Sequence, residues 1–140
     1  MKVYIAGPLF NEMERARNSE MRDFLIENGF DTYLPQEDAG IADFLIKEGR
    51  NQVSVRKEIF EKDIEAVRSS DTILCLLDGR VPDEGVCIEL GLAFALGKKC
   101  LGFSTEQRTF DTHGRSLMID GCLESVSGTK EELLRNLRNN

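Results

Sequence analysis

Three acids stand where a carboxylate has a chemical use. In the stretch VPDEGVCIELGLAFALGKK (81–99), every residue from Val86 to Leu96 is apolar except Glu89 and Gly91. An acid in such a helix is costly to bury unless it is paired, hydrogen-bonded or protonated, so Glu89 reads as a functional group. Asp63 lies four residues from both Ile59 and Val67, on a helical stripe that also carries Val55 and Ala66. That spacing puts it on the buried face or at its solvent border. Asp83 opens the Glu89 helix and fits either a helix N-cap or a ligand contact. Two acids leaning inward from neighbouring helices point to a site, because such groups carry protons or attack electrophilic carbon. Asp71 and Asp78 are most simply turn and cap residues.

The remaining reactive side chains offer less. Cys75, Cys87, Cys100 and Cys122 are too widely spaced for a zinc pattern, and the first three sit in apolar runs, as small core residues do. The one histidine, His113, falls in a polar loop, so a His/Cys metal site has little to build on. With 18 Lys+Arg against 25 Asp+Glu, the net charge is −7 and the cations are scattered. This argues against a nucleic-acid polymer or an anionic membrane as partner. No apolar run reaches the ~20 residues that span a bilayer, and a strand follows Met1-Lys2 directly, so a cytoplasmic protein is expected. A chain of 140 residues fits one domain, 1–140.

The elements that must position the acids alternate. KVYIA (2–6) reads as a buried strand broken by Gly7-Pro8, and a helix is expected from about Asn11 to Asn28, with Asn11 and Glu14 as a capping box. A strand over 30–34, an irregular polar segment over 36–52, a helix over 53–69 and a strand over 72–78 follow. The Glu89 helix stops at Gly97. A strand KCLGFS, a polar loop 104–115, a short strand near 124–126 and an amphipathic helix 129–138 complete the chain. Such alternation predicts an α/β fold with a parallel sheet of about five strands covered on both faces. Ligands bind beyond the carboxyl ends of such strands, which gathers Gly7-Pro8-Leu9-Phe10, Asp78 to Asp83, and the loop after strand four.

The strings YIAGPLF (4–10), DI…SSD (63–71), DEGVCIELG (83–91) followed by ALGKK, and SLMIDG (116–121) resemble the nucleoside 2-deoxyribosyltransferase family, in order and over most of the chain. The resemblance implies a flavodoxin-like three-layer fold and exchange of the base on a 2′-deoxyribonucleoside. It makes Glu89 the nucleophile on the anomeric carbon, Asp63 the proton carrier facing the base, and Tyr4 the residue that orients Glu89. Asp83 would hold the 5′-hydroxyl, Phe10 would line the base pocket, and Gly7 and Gly85 would border the substrate. Ser116 to Met118 would complete the site of a neighbouring subunit, making the protein a homo-oligomer with a dimer as minimal unit.

Breaking an N-glycosidic bond passes through an oxocarbenium-like state, which a carboxylate under the sugar stabilises or captures as a covalent glycosyl intermediate. No metal or organic cofactor is required. Excluding water favours transfer over hydrolysis. Transferases of the family commonly carry asparagine where this chain has Ser116, and related deoxynucleoside 5′-monophosphate N-glycosidases carry serine. Those hydrolases tend to have serine in place of Asp83 and a Gly/Arg-rich loop in place of GPLFNEME. A non-enzymatic receiver or nucleotide-binding module is the other alternative, but receivers need an acidic pair after strand one, where Gly7-Pro8 stands.

Overall fold

A computed structural model of the chain describes residues 1–79, 81–106 and 116–139. The elements are β1 (Lys2–Ala6), α1 (Glu12–Glu27), β2 (Asp31–Tyr33), α2 (Pro35–Asp38), α3 (Ala42–Lys47), α4 (Gln52–Ser69), β3 (Thr72–Leu76), α5 (Glu84–Ala95), β4 (Lys99–Phe103), α6 (Leu117–Cys122), β5 (Ser125–Ser127) and α7 (Lys130–Arg138). The strands form one parallel sheet in the order β2-β1-β3-β4-β5. The α/β, flavodoxin-like expectation therefore holds. The order reverses between β1 and β3, which makes the crevice beyond their carboxyl ends the natural ligand position.

Alternation along the strands sorts the core into two layers. Val3 and Ile5 of β1 meet Met21 and Leu25 of α1 and Leu133 and Leu137 of α7. Tyr4 and Ala6 point the other way, to Ala66 and Val67 of α4 and to Val86, Leu90 and Ala93 of α5. Both acids singled out above ride on that second pair of helices. Asn11 accepts from the Glu14 backbone N–H while the Glu14 carboxylate accepts from that of Asn11, so the capping box forms as its spacing predicts.

One expectation changes, and two segments take a form that the sequence left open. The segment 36–52 is not irregular: it holds α2, started by Pro35 in the first turn where its missing N–H costs nothing, and α3. Two helices of four and six residues are too short to leave a periodic signature. The SLMIDG string is itself a helix, α6, capped by Ser116. Finally, α5 is apolar on nearly every side but is not covered on every side. Ile88 is 69% and Phe94 54% exposed, because one helix face points away from the sheet. Cys75 and Cys100 are buried in the core as expected, while Cys87 and Cys122 are only half-buried. Residues 107–115, which hold most of the expected polar loop and His113, lie outside the described residues. Among the described residues no helix is long and apolar enough to cross a membrane.

Candidate active site

The register of β1 on β2 sets Tyr4 beside Tyr33. Their rings stack with centroids 5.4 Å apart and planes 14° from parallel, on the α4/α5 side of the sheet. Each phenol reaches one acid. Tyr4 donates its hydroxyl to Oε1 of Glu89 at 2.7 Å, and Tyr33 donates to Oδ1 of Asp63 at 3.0 Å. Two adjacent strands thus present two tyrosines to two adjacent helices, and each helix supplies a carboxylate.

Burial dominates the electrostatics. It pushes the Glu89 carboxyl up to about 7; the Tyr4 hydrogen bond opposes this, and the negative charges of Asp63 and Asp83 add to it. Burial likewise raises Asp63 to about 6, opposed by the Tyr33 hydrogen bond and Lys62 and reinforced by Asp38. Both phenols are raised, by burial first and then by the carboxylates they face. They stay protonated and serve as donors. Burial raises Glu89 further than Asp63, so without substrate the proton favours Glu89; a reaction that needs Glu89 ionised and Asp63 protonated must shift it across the pair when substrate binds.

The loops around the acids are built for close approach. A Cβ on Gly7 would lie 2.6 Å from Oδ1 of Asn18, so only glycine fits where the chain leaves β1. Asn18 is buried in α1, and its Nδ2 donates to the Pro8 carbonyl at 2.8 Å and to Gln36 Oε1 at 3.0 Å. Arg15 donates from Nη1 to the Leu9 carbonyl at 3.0 Å and lies over the Phe44 ring of α3. Asp83 does cap α5, its Oδ2 accepting from the Val86 N–H at 3.1 Å. A Cβ on Gly85 would stand 3.0 Å from that same oxygen, so glycine there leaves the carboxylate room.

Of the residues expected from sequence, the structure brings Tyr4, Glu89 and Asp63 together, with Asp83 close enough for its charge to raise Glu89. Phe10 is 73% exposed and Met118 70%; the Ser116 hydroxyl caps its own helix through the Met118 N–H at 3.3 Å. Sequence reasoning missed Tyr33 and Asn18. Asn18 had a signal, since it shares a helical stripe with Met21 and Leu25. Tyr33 had none, because its role depends on strand register. Asp78 is no simple turn residue either. It accepts from Ser104, Thr105 and Glu106 and pairs with Arg17. Among the described residues no three His, Cys, Asp or Glu are grouped to hold a metal ion.

A parallel α/β sheet with a pair of phenol-held carboxylates beside its switch point defines the class of site. The chain belongs to the nucleoside 2-deoxyribosyltransferase family, whose model matches residues 3–137, and is accordingly an enzyme acting on N-glycosidic bonds. It is 27% identical over 127 residues to a nucleoside deoxyribosyltransferase of Limosilactobacillus fermentum, covering 84% of this chain and 73% of that one. A solved structure of a conserved protein from Enterococcus faecalis V583 is 29% identical with a TM-score of 0.78, over 99% of this chain and 97% of that chain. The 2-deoxyribosyltransferase from Bacillus psychrosaccharolyticus shares the fold, with a TM-score of 0.78 at 23% identity over 95% of this chain and 90% of that chain.

Proposed function

We propose that the protein transfers 2-deoxyribose between nucleobases by double displacement through Glu89. The observation that carries this reading is the pair of acids on one face, each accepting from a phenol and each with a raised pKa. In the first step Glu89 attacks the anomeric carbon of a deoxynucleoside. The C–N electron pair leaves with the base, which takes a proton from Asp63. An acceptor base then attacks the glycosyl ester from the opposite face, returns a proton to Asp63 and restores the original anomer. Tyr4 steadies Glu89 as an anion while the oxocarbenium charge builds. Asp83, anchored at the start of α5, accepts a hydrogen bond from the sugar's 5′-hydroxyl, with Gly7, Gly85 and Phe10 bordering the substrate.

Ser116 to Met118 would complete the site of a second copy. The exposed apolar side chains Ile88 and Phe94 of α5 and Leu117 and Met118 of α6 support such an association, since large apolar groups left in water mark contact surfaces. A second reading, hydrolysis of a deoxynucleoside 5′-monophosphate, is favoured by one residue, the serine at 116. Chromatography of deoxyinosine, deoxythymidine and deoxyinosine monophosphate, each with and without free adenine, separates the two. Deoxyadenosine formed only from nucleoside plus adenine is the expected result; free base released from the monophosphate without acceptor would establish the hydrolase instead.

A further inference from the structure

We infer that Tyr33 is a positioning residue for proton transfer: its hydroxyl occupies Oδ1 of Asp63 and leaves Oδ2 as the oxygen that exchanges a proton with the base. This rests on Asp63 being the proton carrier of the proposed reaction.

The geometry singles out Tyr33. Its hydroxyl is 3.0 Å from Oδ1, and that is the one hydrogen bond the Asp63 carboxylate accepts among the described residues. The ring is supported by stacking on the buried Tyr4 ring, with the Lys2 ammonium 5.9 Å from its centroid. A carboxyl oxygen that accepts a hydrogen bond is stabilised as the anionic end, so the proton resides on the other oxygen. When the glycosidic bond breaks, the base takes its electron pair and the Oδ2 proton, and the charge left on Asp63 is held at Oδ1 by Tyr33. The acceptor base reverses the transfer at the same oxygen. Other charged groups facing this carboxyl come from several elements: Asp38 from α2, Lys62 from α4 itself, and Glu89 from α5. None of them is hydrogen-bonded to Asp63, so none fixes which oxygen is free.

The test is Tyr33→Phe, which keeps the stacked ring and removes only the donor, in the full chain with ¹³C-labelled aspartate. By carboxyl NMR the Asp63 titration midpoint should rise by about one pH unit on losing a hydrogen bond to its charged form. The alkaline limb of the deoxyinosine–adenine exchange profile should move up with it. Exchange at the optimum should fall roughly tenfold, the equivalent of one such bond. Release of nitrophenolate from a nitrophenyl deoxyriboside, whose leaving group needs no proton, should change less than twofold. Tyr33→Leu, which also removes the ring supporting Tyr4, should slow both substrates. An unmoved midpoint, or equal losses on both substrates with Tyr33→Phe, overturns the inference while leaving the base-exchange reading standing. A wild-type protein that neither exchanges nor releases any base removes that reading, and the inference with it.

Discussion

Asp78 and Glu89 are both shielded carboxylates near the carboxyl edge of the sheet, and the fold treats them in opposite ways. Asp78, its side chain 8% exposed, accepts from Ser104 Oγ at 3.1 Å, Thr105 N at 2.6 Å, Thr105 Oγ1 at 2.8 Å and Glu106 N at 2.8 Å, and it meets the Arg17 guanidinium. Burial alone would raise its carboxyl, but these donors outweigh it and hold the group below the usual carboxylate range. Glu89 has one donor among the described residues, Tyr4, and burial wins. Glu89 is desolvated more deeply and has fewer donors, and the two together decide which acid stays ionised. A fully subscribed carboxylate ties loops together; one with a single donor keeps acceptor positions open for a substrate.

The largest expected effect sharpens that contrast. Glu89→Gln keeps an acceptor for Tyr4 and nearly the same volume but removes the proposed nucleophile, so exchange should fall by roughly 10⁴ or more. Stability should move the other way. Because folding raises the Glu89 carboxyl from 4.5 to about 7, its favourable contribution is complete below about pH 4.5 and is lost as pH rises through 7. The ionised form then costs the fold on the order of 3 kcal/mol at pH 8. Thermal melts should therefore show Glu89→Gln above wild type at pH 8, by roughly 2–4 °C per kcal/mol recovered, and level with it at pH 4.5. A variant that is inactive and also less stable at pH 8 would place Glu89 with Asp78 among the structural acids.

Asp63 is expected to come next. Asp63→Asn retains an oxygen for Tyr33 but carries no transferable proton, and should slow exchange by roughly 10²–10⁴. The loss should be much smaller on a nitrophenyl deoxyriboside. Matching losses on the two substrates would mean that Asp63 shapes the pocket and does not move a proton.

The two acids differ in how far the sequence reveals them. Glu89 is legible because an apolar helix makes a lone carboxylate conspicuous, and the Asn11–Glu14 capping box and the order of strands and helices are legible from spacing. Partnerships across the sheet are not. Tyr4 and Tyr33 meet only once β1 and β2 take their register, and the donors to Asp78 come from 104–106, more than two dozen residues away. The apolar pattern of α5 was readable, yet it could not say which residues face the sheet and which, like Ile88 and Phe94, are left for another surface. Composition measures how apolar a helix is; what covers it is set by its neighbours.

The smallest expected change in rate comes from Asp78, where the contrast is open to a direct break. Asp78→Asn is nearly isosteric and its carbonyl oxygen can still accept from the Thr105 and Glu106 N–H groups, but an amide nitrogen in place of Oδ2 cannot accept from Thr105 Oγ1 or Arg17, and the charge that both N–H groups met is gone. Losing these charge-assisted bonds should cost roughly 1–3 kcal/mol at pH 7, several degrees in Tm for a chain of this size. The sign with pH is opposite to that of Glu89. Folding lowers the Asp78 carboxyl below its ordinary 3.8, so its contribution is present above that value and fades as pH falls through the depressed one. The gap between variant and wild type should therefore narrow in acid. At 25 °C and pH 7, where the variant remains folded, exchange should stay within about threefold of wild type, since the side chain lies on the α1 side of the switch point with Arg17 and away from the phenol-held acids. A tenfold or greater loss of rate with an unchanged melting temperature would show that the β4 loop it anchors delivers something to the substrate, and would move Asp78 from the scaffold into the site.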